Sequence, residues 1–161
     1  MEKLIDLFDI EELTECIREI CEKYSESCDD KHQTDTQLYQ SFSLVQQKLS
    51  DDDMWQVYEI VSEKLKQRRE MGERFGKTRE NLAEMLNIST AQVQKMQNIE
   101  KNAINPVIEA VKRGEVTIHT ANEIARLYEE QQRELIEIFE ISEIEPKDIN
   151  NFKQKNLNVS V

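Results

Sequence analysis

Thr78-Arg79-Glu80-Asn81-Leu82-Ala83-Glu84-Met85-Leu86-Asn87-Ile88-Ser89-Thr90-Ala91-Gln92-Val93-Gln94-Lys95-Met96-Gln97-Asn98 carries two short apolar stripes at helical spacing with one interruption between them. Thr78 can cap a helix over Arg79 to Leu86, whose inner face is Leu82, Ala83 and Leu86. Asn87 follows, and Asn is the non-glycine residue that best tolerates a left-handed backbone. Ile88 is apolar. Ser89 can then cap a second helix from Thr90 to about Ile99, with Val93 and Met96 inward. Two helices crossing within so tight a turn need a small residue at their closest approach, and Ala83 supplies it. The spacing predicts a helix-turn-helix over residues 78–98.

The outer face of the second helix has the chemistry of a base reader. Ser89, Thr90, Ala91, Gln94, Lys95 and Asn98 lie on it or at its start, and none is acidic. Gln and Asn can pair two-pronged with adenine edges, Ser and Thr can reach bases or phosphate, and Lys can contact phosphate or guanine. Lys77, Thr78 and Arg79, at the start of the first helix, are placed to touch the phosphate backbone. These nine residues form the candidate DNA-binding set, with double-stranded DNA as the partner.

The rest of the chain fits an all-α helical bundle. In 161 residues there are only 3 Gly and 2 Pro, while 34% are charged. So few turn formers among so many Glu, Lys, Gln and Leu favour helices over strands. Leu13, Ile17, Ile20, Cys21 and Tyr24 make one stripe within a helical segment from Leu4 to about Glu26. Ser27 to Asp35 reads as a loop. Leu38, Phe42, Val45 and Leu49 make a further stripe. Ser50 looks like an N-cap, with Asp53 three positions on in a capping-box-like arrangement. Met54, Trp55, Val57, Tyr58, Val61 and Leu65 follow on one helix. Asp51, Asp52 and Asp53 suit the positive first turn of that helix better than a metal. Trp55 and Tyr58 suit a core better than a base-stacking platform.

Gly72 and Gly76 mark an expected boundary. The domains expected are an acidic helical domain over 1–71, a helix-turn-helix domain over 72–145, and a short helix with a polar, fraying tail over 146–161. The net charge is −12, unevenly spread. Residues 1–70 carry −9, residues 71–105 carry +1, and residues 106–161 carry −4. The expected DNA reader is the one stretch that is not acidic.

Residues from about 72 to 140 resemble the central helix-turn-helix domain of the ParB/KorB family of partition proteins. The resemblance runs through Gly76-Lys77-Thr78-Arg79-Glu80-Asn81-Leu82-Ala83-Glu84-Met85-Leu86-Asn87-Ile88-Ser89 and Val93. It continues in Pro106-Val107-Ile108-Glu109-Ala110-Val111-Lys112-Arg113-Gly114-Glu115-Val116-Thr117-Ile118, then Ala121, Ile124, Ala125, Leu127, Gln132 and Leu135. It covers a little under half the chain. It implies a sequence-specific DNA-binding protein acting in partition or transcriptional regulation, of the kind carried by plasmids, phages or other mobile elements. Asn87 stands where the family commonly has Gly, and Thr120 where a His is usual, with His119 one position early. The family's nucleotide-binding domain is not visible, and Gly72-Glu73-Arg74 echoes its phosphate motif in the wrong place, so nucleotide hydrolysis does not carry over.

The downstream text also has its own physical reading. Gly114 sits where a helix C-cap glycine belongs, Thr117 or Thr120 can cap the next helix, and Ile124, Leu127 and Tyr128 supply its stripe. Pro146 suits a first helical turn before Ile149 and Phe152.

Reading a palindrome takes two recognition helices about one DNA turn apart, so a homodimer is expected. The acidic amino-terminal helices would dimerise or bind a protein partner. Alternatively, with −9 over 70 residues, they would mimic DNA and make the chain an acidic inhibitor of a nuclease or polymerase, of the anti-CRISPR or antirestriction type. Cys16, Cys21, Cys28 and His32 have four, six and three intervening residues, which match no common zinc pattern. Two His, no nucleophile elbow and no phosphate loop point away from an enzyme. No catalytic residue, metal or cofactor is expected. The acidic start with its short apolar stretch and the three cysteines read as a cytoplasmic protein with free thiols, not a membrane one.

Overall fold

The computed structural model describes residues 2–24, 33–74 and 76–159. Among them are α1 (Glu2–Ile5), α2 (Glu11–Tyr24), α3 (Asp35–Val45), α4 (Asp51–Glu70), α5 (Thr78–Leu86), α6 (Thr90–Asn102), α7 (Asn105–Lys112), α8 (Ile118–Ala125), α9 (Glu129–Ile138) and α10 (Pro146–Val159). Two short 3-10 turns complete the set, and no described residue lies in a strand. The fold is all-α, a helical bundle. No described helix is long and apolar enough to cross a membrane. Cys28 and His32, half of the weighed metal set, lie outside the described residues, as does most of the loop expected over Ser27 to Asp35.

The chain divides into two compact units, Met1–Val93 and Gln94–Val161. The boundary expected at 71/72 thus lies inside the first unit. Gly72 does end α4, with φ +90° and its N–H bonded to the Arg69 carbonyl at 3.0 Å. But α5 packs on α1 and α4 and stays with them. Gln46 Nε2 donates to the Met85 carbonyl at 2.9 Å, and Lys3 Nζ reaches Asn81 Oδ1 at 3.0 Å and Glu84 Oε2 at 2.8 Å.

In the first unit the expected stripes become the core. Leu13, Ile17, Ile20 and Cys21 of α2 are buried, as are Leu38, Phe42 and Val45 of α3, and α2 packs on both α3 and α4. The helix expected from Leu4 to about Glu26 is broken after Ile5. The Leu7 and Phe8 N–H groups make i→i−3 bonds, and the Thr14 hydroxyl donates to the Phe8 carbonyl at 2.8 Å. Glu11 and Glu12 then favour a fresh helix start, where the dipole is positive. Thr34 opens α3 with a reciprocal capping box to Gln37. Trp55 and Tyr58 are each 1% exposed, with ring centroids 5.4 Å apart, so they are core residues.

The capping box at Ser50 takes a different form. Ser50 occupies the N-cap position of α4, but its hydroxyl caps no backbone N–H. It donates to Asp53 Oδ2 at 2.8 Å, while the Ser50 N–H is accepted by the Tyr24 hydroxyl at 3.0 Å. That hydroxyl donates in turn to Asp53 Oδ2 at 2.7 Å, and Lys23 Nζ adds a bond at 2.8 Å. Asp is one methylene shorter than the Glu of a usual box, and Tyr24 bridges the gap. Burial alone would raise the Asp53 pKa, but the bonds from Lys23, Tyr24 and Ser50 outweigh it and hold the carboxyl below its ordinary 3.8.

In the second unit Gly114, at φ +69°, closes α7. Its N–H bonds the Val111 carbonyl at 3.0 Å and that of Glu115 bonds Ala110 at 2.9 Å, a Schellman ending. Thr117, not Thr120, caps α8, accepting the Thr120 N–H at 3.1 Å. Ile124 and Leu127 are buried, but Tyr128 is 81% exposed. Helix α8 ends at Ala125, so Tyr128 falls at the N-cap of α9 and leaves the stripe. The tail expected to fray from Asn150 is helical to Val159, because Ile149 and Phe152 are buried and α10 packs on α8.

One buried amide ties this unit together. Gln132 is fully buried; its Oε1 accepts the Ile104 N–H at 3.0 Å, and its Nε2 donates to the carbonyls of Asn102 at 2.8 Å and Leu127 at 3.0 Å. A single side chain thereby satisfies the end of α6, the start of α7 and the turn after α8. Gln132→Leu leaves those three backbone groups without this partner. It should cost about 3 kcal/mol in urea denaturation, against less than about 0.5 kcal/mol for the exposed Gln154→Leu.

Asp53 has a pH signature. Its pKa is lowered in the folded state, so its contribution is complete above the unfolded value of 3.8 and is lost as pH falls through the lower folded value. Asp53→Asn should cost about 2 kcal/mol near neutral pH. The difference from wild type should shrink as thermal melts are taken into acid below the ordinary carboxylate range.

Candidate nucleic-acid interface

Helix α5 buries Leu82, Ala83, Met85 and Leu86. It stops at Asn87, which adopts φ 54° and ψ 44°, the one described non-glycine residue with positive φ. The Asn87 N–H bonds the Glu84 carbonyl at 3.3 Å, and the Ile88 N–H bonds Ala83 at 3.0 Å. These bonds satisfy the last carbonyls of α5 and turn the chain within two residues. Ser89 then caps α6: its hydroxyl accepts the Gln92 N–H at 3.1 Å, and its carbonyl accepts the Val93 N–H at 3.1 Å. Left-handed turn and Ser cap fall where the spacing predicts them.

Thr78 differs from expectation. It is the first residue of α5 and not its cap; Lys77 holds the N-cap position, without a side-chain capping bond. The Thr78 hydroxyl instead accepts a hydrogen bond from Arg69 of α4, whose last turn comes within reach of it. Lys77 and Arg79 are exposed, and Lys77 Nζ lies 3.3 Å from Glu80 Oε1.

Helix α6 is continuous to Asn102, three residues beyond the expected Ile99, and the division between the two units falls within it. Val93, Met96 and Ile99 are fully buried at spacings of three. On the rest of the helix Ser89, Thr90, Ala91 and Gln94 are exposed, while Lys95 and Asn98 are half-buried. Gln94 and Lys95 lie three and four residues after Ala91, and Asn98 four and three residues after them, so the four share one side of the helix. The exposed first turn of α6 also presents backbone N–H groups, which favour a phosphate.

Asn98 is held more tightly than its sequence position implies. Its Nδ2 donates to Asn122 Oδ1 at 2.9 Å, and its Oδ1 accepts from Asn102 Nδ2 at 2.6 Å. One amide proton and one oxygen lone pair remain for any other partner. Asn102 stands at i+4 from Asn98, a pairing legible from helical spacing. Asn122 lies in α8, and no local pattern announces it. Comparison with protein-family models, curated proteins and solved structures gave no match.

The turn has a direct test. Replacing Asn87 by Ala, which resists the left-handed region, should cost about 1 kcal/mol, while Asn87→Gly should cost almost nothing. Equal losses for the two in chemical denaturation would contradict a backbone role for Asn87.

Proposed function

We propose that this chain binds double-stranded DNA in a sequence-specific way, reading base edges with the exposed start of α6, and acts in partition or transcriptional regulation. The observation that carries the reading is the left-handed turn at Asn87 followed by a Ser-capped helix whose outer face is free of carboxylates from Ser89 to Asn98. In a chain of −12 net charge, such a face is where a phosphate backbone meets least repulsion. Thr90, Ala91 and Gln94 are the base-reading set, with Lys95 beside them. Lys77, Arg79 and the first amides of α6 supply phosphate contacts. Asn98, half engaged by Asn122 and Asn102, supports the helix and reads with what capacity remains. A homodimer supplies the second recognition helix that a palindromic site requires.

Two single variants test this on a DNA site obtained by selection. Gln94→Ala should weaken specific binding by about 1–3 kcal/mol and relax preference at one base pair. Lys95→Ala, if it loses a phosphate contact, should weaken binding to all sequences and lower the salt dependence by about one ion. Fluorescence anisotropy titrations at two salt concentrations measure both. Unchanged affinity in both variants would contradict the assignment.

A further inference from the structure

Helices α2 and α4 of the first unit leave a groove open to solvent between them. It runs as two lobes of about 350 and 260 Å³ that share Glu12, Glu59 and Ile60. The floor is apolar: half-buried Ile10 and Ile60, and Cys16 at 8% exposure. The walls are carboxylate: Glu12, Glu15 and Glu19 on α2, and Glu59 and Glu63 on α4. Glu12, Glu15 and Glu19 lie at i, i+3 and i+7, and Glu59 and Glu63 at i and i+4, so each set holds one face of its helix. Against these five glutamates the described lining has one cation, Lys64, at the far end.

We propose that this groove seats a basic amphipathic helix of a partner protein, its apolar stripe on Ile10, Cys16 and Ile60 and its lysines or arginines between the two glutamate rows. The lining of α4 runs from Gln56 to Gln67, a span of about 16 Å, which matches about three turns of helix. Apolar anchors at i, i+3, i+4 and i+7 fit a floor of this form. Charge complementarity selects the occupant. DNA is repelled by glutamate walls, and a second copy of this chain brings −12 of like charge. The thiol of Cys16 reports the same field from within. Burial first, then Glu19, Asp53 and Glu12, push its pKa up to about 11. The groove is separate in chemistry from the α6 face, so the proposal stands whether or not the chain binds DNA.

The test uses the full chain and a synthetic helical peptide of about four turns, with leucine along one face and lysine along the other. A peptide of the same composition, scrambled to destroy the helical period, is the control. In anisotropy titrations the amphipathic peptide should bind about tenfold tighter than the control, and added salt should weaken it. The double variant Glu12→Lys/Glu19→Lys, at exposed positions, should weaken binding by about tenfold or more with an unchanged circular-dichroism spectrum. Ile60→Asn should weaken it too, through the floor and not the walls. Equal binding of the two peptides, or undiminished binding by the double variant, would overturn the proposal. So would a dimer of the chain, seen by sedimentation, that the peptide fails to displace and that the double variant abolishes. In that case a second copy fills the groove.

Discussion

A single residue held in the left-handed region, Asn87, governs how the middle of this chain is arranged. Its backbone closes α5 with bonds to Glu84 and, through Ile88, to Ala83, and only Ile88 separates it from Ser89, which opens α6. Without that turn, the good helix formers on either side would favour one continuous helix from Thr78 to Asn102. Leu82, Leu86, Val93 and Met96, at i, i+4, i+11 and i+14, would then line one face of a single straight helix. The polar start of α6 would become a mid-helix surface with no exposed amides. The candidate interface thus depends on about one residue's worth of backbone strain, which Asn tolerates better than any other side-chain-bearing residue.

Within each unit, buried polar side chains close the helix ends that apolar packing leaves open. Gln46 reaches the Met85 carbonyl near the end of α5. Asp53 gathers Lys23, Tyr24 and Ser50 at the start of α4. Gln132 serves three backbone groups at once. In an apolar interior each unmet group would cost about 1–3 kcal/mol, so these few side chains select one helix arrangement among several that bury similar apolar area. They act differently from the apolar residues, which supply most of the driving force and little of the geometry.

Sequence and structure agree where the cause is local. The stripes of α2, α3 and α4, the left-handed Asn87, the Ser89 cap, the Gly114 ending and the Pro146 start all depend on neighbours three or four residues away. Disagreement begins where the partner is distant. The hydrogen bond that Thr78 accepts from Arg69 and Tyr24's place in the Ser50 cap involve groups that helical spacing does not bring together. The same is true of Asn98 and Asn122, 24 residues apart, and this is why a position that looks like an open base reader is half engaged. The division at Val93–Gln94 was not legible for a related reason. Gly72 looks like a boundary, but the packing of α5 on α1 and α4 outweighs a local break in helical pattern.

Charge gives the two proposed surfaces their separate roles. The exposed start of α6 lacks carboxylates and faces outward with amide and hydroxyl chemistry, whereas the α2–α4 groove is walled by them. We propose that the first surface reads DNA sequence. Selection from a random double-stranded DNA pool with the full chain, at low and at moderate salt, tests it most directly. One defined site, built of two related half-sites, should be enriched, and its binding should weaken as salt rises. A pool that stays random at low salt, with no retained DNA, would contradict it.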